Sequence, residues 1–100
     1  MAVKCSFSPI MEIGEIWKWK GYGLGVGLLF SEPWEDLKFK TGMINSGEEF
    51  MIVDKLTKEG TEFWIRILVA DSGSGGWIFV ANETSFFSEE YNKYFEFILS

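Results

Sequence analysis

The sequence predicts a mainly β protein whose centre is a small closed barrel. Glu32–Val80 reads as one short, strongly bent sheet. Its last two strands, Glu62–Ala70 and Gly76–Val80, each hold a tryptophan, Trp64 and Trp77. The segment between them, Asp71–Gly75 (DSGSG), is long enough for a turn and nothing more. The chain has 100 residues, 47% apolar and 18% aromatic, enough for one modest core without metals or disulfide staples. A single domain over residues 1–100 is expected, with the barrel at about 25–82.

Taken in order, Ile10–Lys20 (IMEIGEIWKWK) places Ile16, Lys18 and Lys20 on one side and Trp17 and Trp19 on the other. That period of two suits a strand ahead of the barrel, or one arm of a hairpin, with Gly14 as a bulge or bend. Gly21–Gly27 (GYGLGVG) has glycine at every second position, which on a strand strips one face so that another backbone or a large ring such as Trp17 or Trp19 can lie against it. Ser31–Asp36 (SEPWED) is a polar loop. Leu37–Lys40 alternates like a short strand, and Thr41–Gly47 is expected to turn. Glu48–Leu56 (EEFMIVDKL) reads as a strand with both faces partly apolar, and Thr57–Gly60 as a turn. Phe63–Val69 (FWIRILV), β-branched and aromatic, is the strongest strand signal in the chain.

At the end the period changes. Tyr91, Tyr94, Phe95, Ile98 and Leu99 fall at i, i+3, i+4, i+7 and i+8, which predicts an amphipathic helix over 88–99. Ser88 would cap it, with Glu89 and Glu90 in the first turn. Its apolar face would pack on the barrel or dock on another chain.

The order of elements resembles a Src-homology-3 barrel of the bacterial type. Glu35–Gly42 (EDLKFKTG) is similar to that family's acidic loop and lysine-glycine segment, and Gly47–Val53 (GEEFMIV) to its second long strand. Phe63-Trp64 stands where the family has paired aromatics. Trp64–Ile67 and Gly76-Trp77-Ile78 match its Trp-x-x-Ile strand and its glycine-aromatic-aliphatic step. The resemblance implies a binding scaffold, with Phe63 as the first aromatic of a ligand groove. Phe79 and Asn82 stand where eukaryotic members carry a proline and a tyrosine, and Leu28–Phe30 replace the first-strand tyrosines. Polyproline recognition needs that row of aromatic ridges, so it is not expected here.

Chemistry is sparse. With no histidine, the usual neutral-pH base, nucleophilic triads and common zinc sites are excluded, so no enzyme activity is expected. Glu32, Glu35 and Asp36 lack the spacing of a calcium loop, and Gly21–Gly27 lacks the lysine and the strand-then-helix context of a phosphate loop. No metal or cofactor is expected. Cys5, without a partner thiol or a histidine, is neither a disulfide nor a credible nucleophile.

A net charge of −6 argues against nucleic acid and favours a basic protein partner, or serves solubility alone. Met1–Pro9 carries no signal-peptide pattern and Leu24–Phe30 is too short to span a bilayer, so no membrane association and a cytoplasmic setting are expected. The expected function is a non-enzymatic protein-binding module, acting as an acidic immunity or inhibitor protein that occludes a basic partner such as a toxin. Glu32, Glu35, Asp36 and Asp71 would supply charge and Trp34 the anchor, although a capping role for Trp34 over the barrel end competes. Phe63 completes the candidate set through the family resemblance. The alternatives are an assembly subunit using the helix face or a sheet edge, and a peptide- or cell-wall-binding domain.

Overall fold

The computed structural model describes residues 11–21, 25–82 and 90–100. Cys5, Ile10, Tyr22–Leu24, Ser88 and Glu89 lie outside the described residues. Seven strands form one antiparallel sheet: β1 (Ile16–Trp19), β2 (Val26–Phe30), β3 (Lys40–Asn45), β4 (Glu49–Lys58), β5 (Glu62–Val69), β6 (Gly75–Asn82) and β7 (Phe95–Leu99). Their order is β3-β2-β6-β5-β4-β1-β7, curled into a half-barrel with β3 and β7 as its edges. The expected barrel-like β architecture is present, although β3 and β7 are not joined into a closed wall.

Alternation builds the core. On β1, Trp17 and Trp19 point inward and are buried, while Lys18 between them is not. On β4, buried Phe50 and Ile52 alternate with exposed Glu49, Met51 and Val53. On β5, Phe63, Ile65, Ile67 and Val69 enter the same core. Gly27 leaves room on the inner face of β2. A Cβ there would stand 3.0 Å from Ile78 Cδ1 and 3.2 Å from Trp19 Cε2, so the indole lies directly against the glycine as expected. The Trp19 ring nitrogen also donates to Gly25 O at 3.3 Å.

Three expectations are corrected. The C-terminal helix does not form: Glu90–Lys93 makes one 3-10 turn, and Phe95–Leu99 runs as β7 along β1, with Trp19 opposite Phe95 and Trp17 opposite Phe97. Phe, Ile and Tyr dominate this segment and favour a pleated surface over a helix. β1 also offers a free edge whose backbone groups need partners. Tyr91 and Phe95, four apart, still reach the core.

Leu37–Phe39 is a 3-10 turn and not a strand, because the Asp36 carboxylate accepts from Lys38 N at 3.1 Å and closes a tight turn. The strand starts at Lys40 and runs through the expected turn, which shrinks to Ser46-Gly47. There Gly47 takes φ +92, a conformation that favours glycine.

Candidate functional site

The outer face of the sheet carries the site, beginning with a second aromatic cluster. Trp64 is buried but points away from the main core, on the opposite side of β5 from Phe63 and Ile65. Its ring meets Phe30 of β2 at 6.2 Å and Phe79 of β6 at 5.6 Å, both edge to face. Its ring nitrogen donates to Glu62 Oε1 at 3.0 Å, which satisfies the buried polar tip.

The Ser31–Phe39 connection, between β2 and β3, belongs to the same face. Lys58, at the end of β4, holds it: its ammonium donates to Pro33 O at 3.1 Å and stands 3.6 Å from the Trp34 ring centroid. The same ammonium lies 3.8 Å from Glu62 Oε1. Trp34 keeps 52% of its surface exposed while a cation covers one face of its ring. Glu32, Trp34, Lys38 and Phe39 line a surface depression there, and Asp36 is 3.9 Å from Lys38. The carboxylates of this loop are therefore interleaved with lysines, a pattern invisible while β4 and the loop were separate stretches of sequence.

Asp71 does not join this group. Glu62 pairs beside Lys58 at one end of β5, whereas Asp71 follows the other end, roughly 30 Å along the strand. Ala70 and Gly73 of the same turn border a mostly apolar depression with Ile16, Met51 and Leu68. Phe63 is 1% exposed in the main core, so its side chain offers no surface to a ligand, whatever the family resemblance implies. The structure thus brings together Glu32, Trp34 and Asp36 with Lys58 and Lys38, and separates Asp71 and Phe63 from them.

Sequence reasoning missed Lys58 and Arg66. Arg66 lies on the outer side of β5, across from Trp77 on β6 and Asp54 on β4. A second groove, lined by Ser31, Thr41, Val53, Leu68 and Trp77, opens around it. Gly75, opposite Leu68 on this outer side, adds no side chain to the groove, and Gly76 lets β6 approach β2 beside it. Gly76 has no substitute: at φ +152, a Cβ would stand 2.9 Å from Phe30 O. The signal for Arg66 was available, since it is the chain's single arginine and alternates with Trp64 and Leu68 on one strand face.

Among the described residues no group of three or more Cys, Asp or Glu side chains is placed to hold a metal ion, and no helix is long and apolar enough to cross a membrane. Against known protein families, curated proteins and solved structures, the chain gives no match.

Proposed function

We propose that this protein is a non-enzymatic binding module that neutralises a basic protein partner by occlusion, as an immunity or inhibitor protein would. The observation supporting it is Trp34, half exposed and held from one side by Lys58 in a loop that also carries Glu32, Glu35 and Asp36. A large ring fixed before contact loses little entropy on binding, and tryptophan is a frequent interface anchor. The surrounding carboxylates, in a chain of net charge −6, favour encounter with a positive surface. Asp71 belongs to a separate part of the surface and is not required. The Src-homology-3-like kinship and a cytoplasmic setting belong to the same proposal. The kinship rests on motifs such as Gly76-Trp77-Ile78 and on the barrel-like antiparallel sheet.

Affinity capture from the source cell tests the reading, with the wild type and Trp34→Ala as paired baits. The expected result is a basic protein retained by the wild type, lost with Trp34→Ala and released by salt. Capture of the same proteins by both baits overturns it.

A second reading is favoured by the edge strand β7, which leaves Phe97 48% and Leu99 54% exposed. Exposed apolar edges pair with further strands, so an assembly role would use this edge. The helix-face version of that role falls with the helix. Sedimentation at micromolar concentration decides: a strict monomer removes self-assembly.

A further inference from the structure

Arg66 differs from the lysines that organise the loop. Among the described residues its guanidinium enters no ion pair or side-chain hydrogen bond. Its register neighbour Asp54 uses Oδ1 to accept from Lys55 N at 2.8 Å, and no contact within ion-pair distance joins it to Arg66. A bulge between Ile52 and Asp54 accompanies the placement of Val53 in the groove wall. The result is one planar, five-donor cation in a groove that Val53, Leu68, Trp77, Ser31 and Thr41 also line.

We propose that the Arg66–Trp77 groove binds an acidic side chain of a protein partner, with an adjoining apolar side chain of that partner laid against Val53, Leu68 and Trp77. Charge complementarity identifies the occupant. A carboxylate takes a guanidinium's fork through two parallel hydrogen bonds, and among the described residues no carboxylate takes it. A small free anion gains only the charge contact and must approach a chain of net charge −6, whereas a peptide also buries apolar surface. A chain-terminal carboxylate is recognised by free backbone N–H groups, and here β5 and β6 are paired from Glu62 to Leu68. This site is of opposite sign to the Trp34 loop and does not depend on the basic-partner reading.

The test uses the dipeptide Glu-Leu, acetylated and amidated at its ends, titrated into the full chain while NMR follows the Arg66 Nε–H and Trp77 indole N–H signals. Saturable shifts of both are expected. The Gln-Leu analogue should bind about tenfold more weakly, the magnitude of one lost charge-assisted pair. Arg66→Gln should weaken the binding read at Trp77 by about the same tenfold and erase the preference for Glu-Leu over Gln-Leu, while leaving the urea midpoint unchanged. Asp54→Asn should tighten binding by removing a neighbouring negative charge that repels the incoming carboxylate. Equal shifts from Glu-Leu and Gln-Leu overturn the proposal. So do equal shifts from inorganic phosphate, or from Gln-Leu with a free terminal carboxylate, since either would make the groove a general anion site.

Discussion

The ammonium of Lys58 lies 3.6 Å from the ring centroid of Trp34 and 5.8 Å from that of Trp64. One cation thus links an exposed indole to a buried one, and with its bond to Pro33 O it fastens the acidic loop to the sheet. The loop's position is a property of β4 as much as of its own sequence. That coupling can be measured.

Replacing Lys58 with Met keeps an unbranched aliphatic stem and removes the ammonium. The lost hydrogen bond and cation–π contact should cost about 1–2 kcal/mol, and the surface pair with Glu62 should add little. Trp34→Ala alone should cost about 1 kcal/mol or less, because half of that ring is already in water. Urea denaturation of the two single variants and the double variant gives the cycle, in which the double should fall short of the sum by about 0.5–1 kcal/mol. Strict additivity would show that the two residues do not communicate.

Gly27 and Gly76 should respond differently to alanine. At Gly27 the new methyl meets the ends of side chains, Ile78 Cδ1, Ile44 Cγ2 and Trp19 Cε2, at 3.0–3.2 Å. Overpacking of that kind costs about 1–3 kcal/mol. At Gly76 it meets the backbone oxygen of Phe30 at 2.9 Å and the backbone sits at φ +152, so neither partner can yield without parting β2 from β6. Gly76→Ala should therefore be the more damaging, and it should lose amide-exchange protection at Phe30 and Trp77 first. An ordering with Gly27→Ala worse would contradict the β2–β6 approach.

The strands that were legible in the sequence are those whose alternation matches burial. β5 is read correctly because Phe63, Ile65, Ile67 and Val69 all fall on the core side. Trp17 and Trp19 announce β1 for the same reason. Trp64, expected to be at least partly core from its place in a strong strand, is buried on the outward face, where Phe30 and Phe79 close round it. The helix expected over 88–99 failed because Tyr91 and Phe95 serve a core equally well at helical spacing or across a turn into a strand. Only pairing with β1 separates the two, and pairing is a long-range property. The site was half legible. Glu32, Trp34 and Asp36 are neighbours in sequence, but Lys58 reaches them only through the register of the sheet.

β7 gives a direct check on that pairing. Phe95 is 3% exposed and contacts Phe50 and Trp19 edge to face, whereas Phe97 is 48% exposed and meets the Trp17 ring edge to face. Phe95→Ala should cost about 3–5 kcal/mol by leaving a core cavity. Phe97→Ala should cost about 1 kcal/mol, the value of an edge-on aromatic pair. Thermal or urea midpoints compare them. Similar costs at both positions would mean that the segment does not alternate as a strand.

The carboxylates of the loop should divide by role. Asp36 caps the 3-10 turn through Lys38 N, so Asp36→Ala should lower stability by about 1 kcal/mol while Asp36→Asn largely preserves it. Among the described residues the carboxylates of Glu32 and Glu35 make no hydrogen bond or ion pair, so Glu32→Gln with Glu35→Gln should leave stability within about 0.5 kcal/mol. If the loop meets a basic partner, those two charges act at a distance and govern encounter rather than the docked contact. The double variant should then slow association with the captured partner several-fold at low ionic strength, and the difference should vanish once added salt shortens the screening length to about 3 Å. Dissociation should hardly change, whereas Trp34→Ala should accelerate it, since a buried anchor sets residence time. Stopped-flow measurements across a salt series separate the two effects. An association rate that ignores both salt and the glutamate substitutions would remove the electrostatic half of the mechanism and leave Trp34 as the whole of the contact.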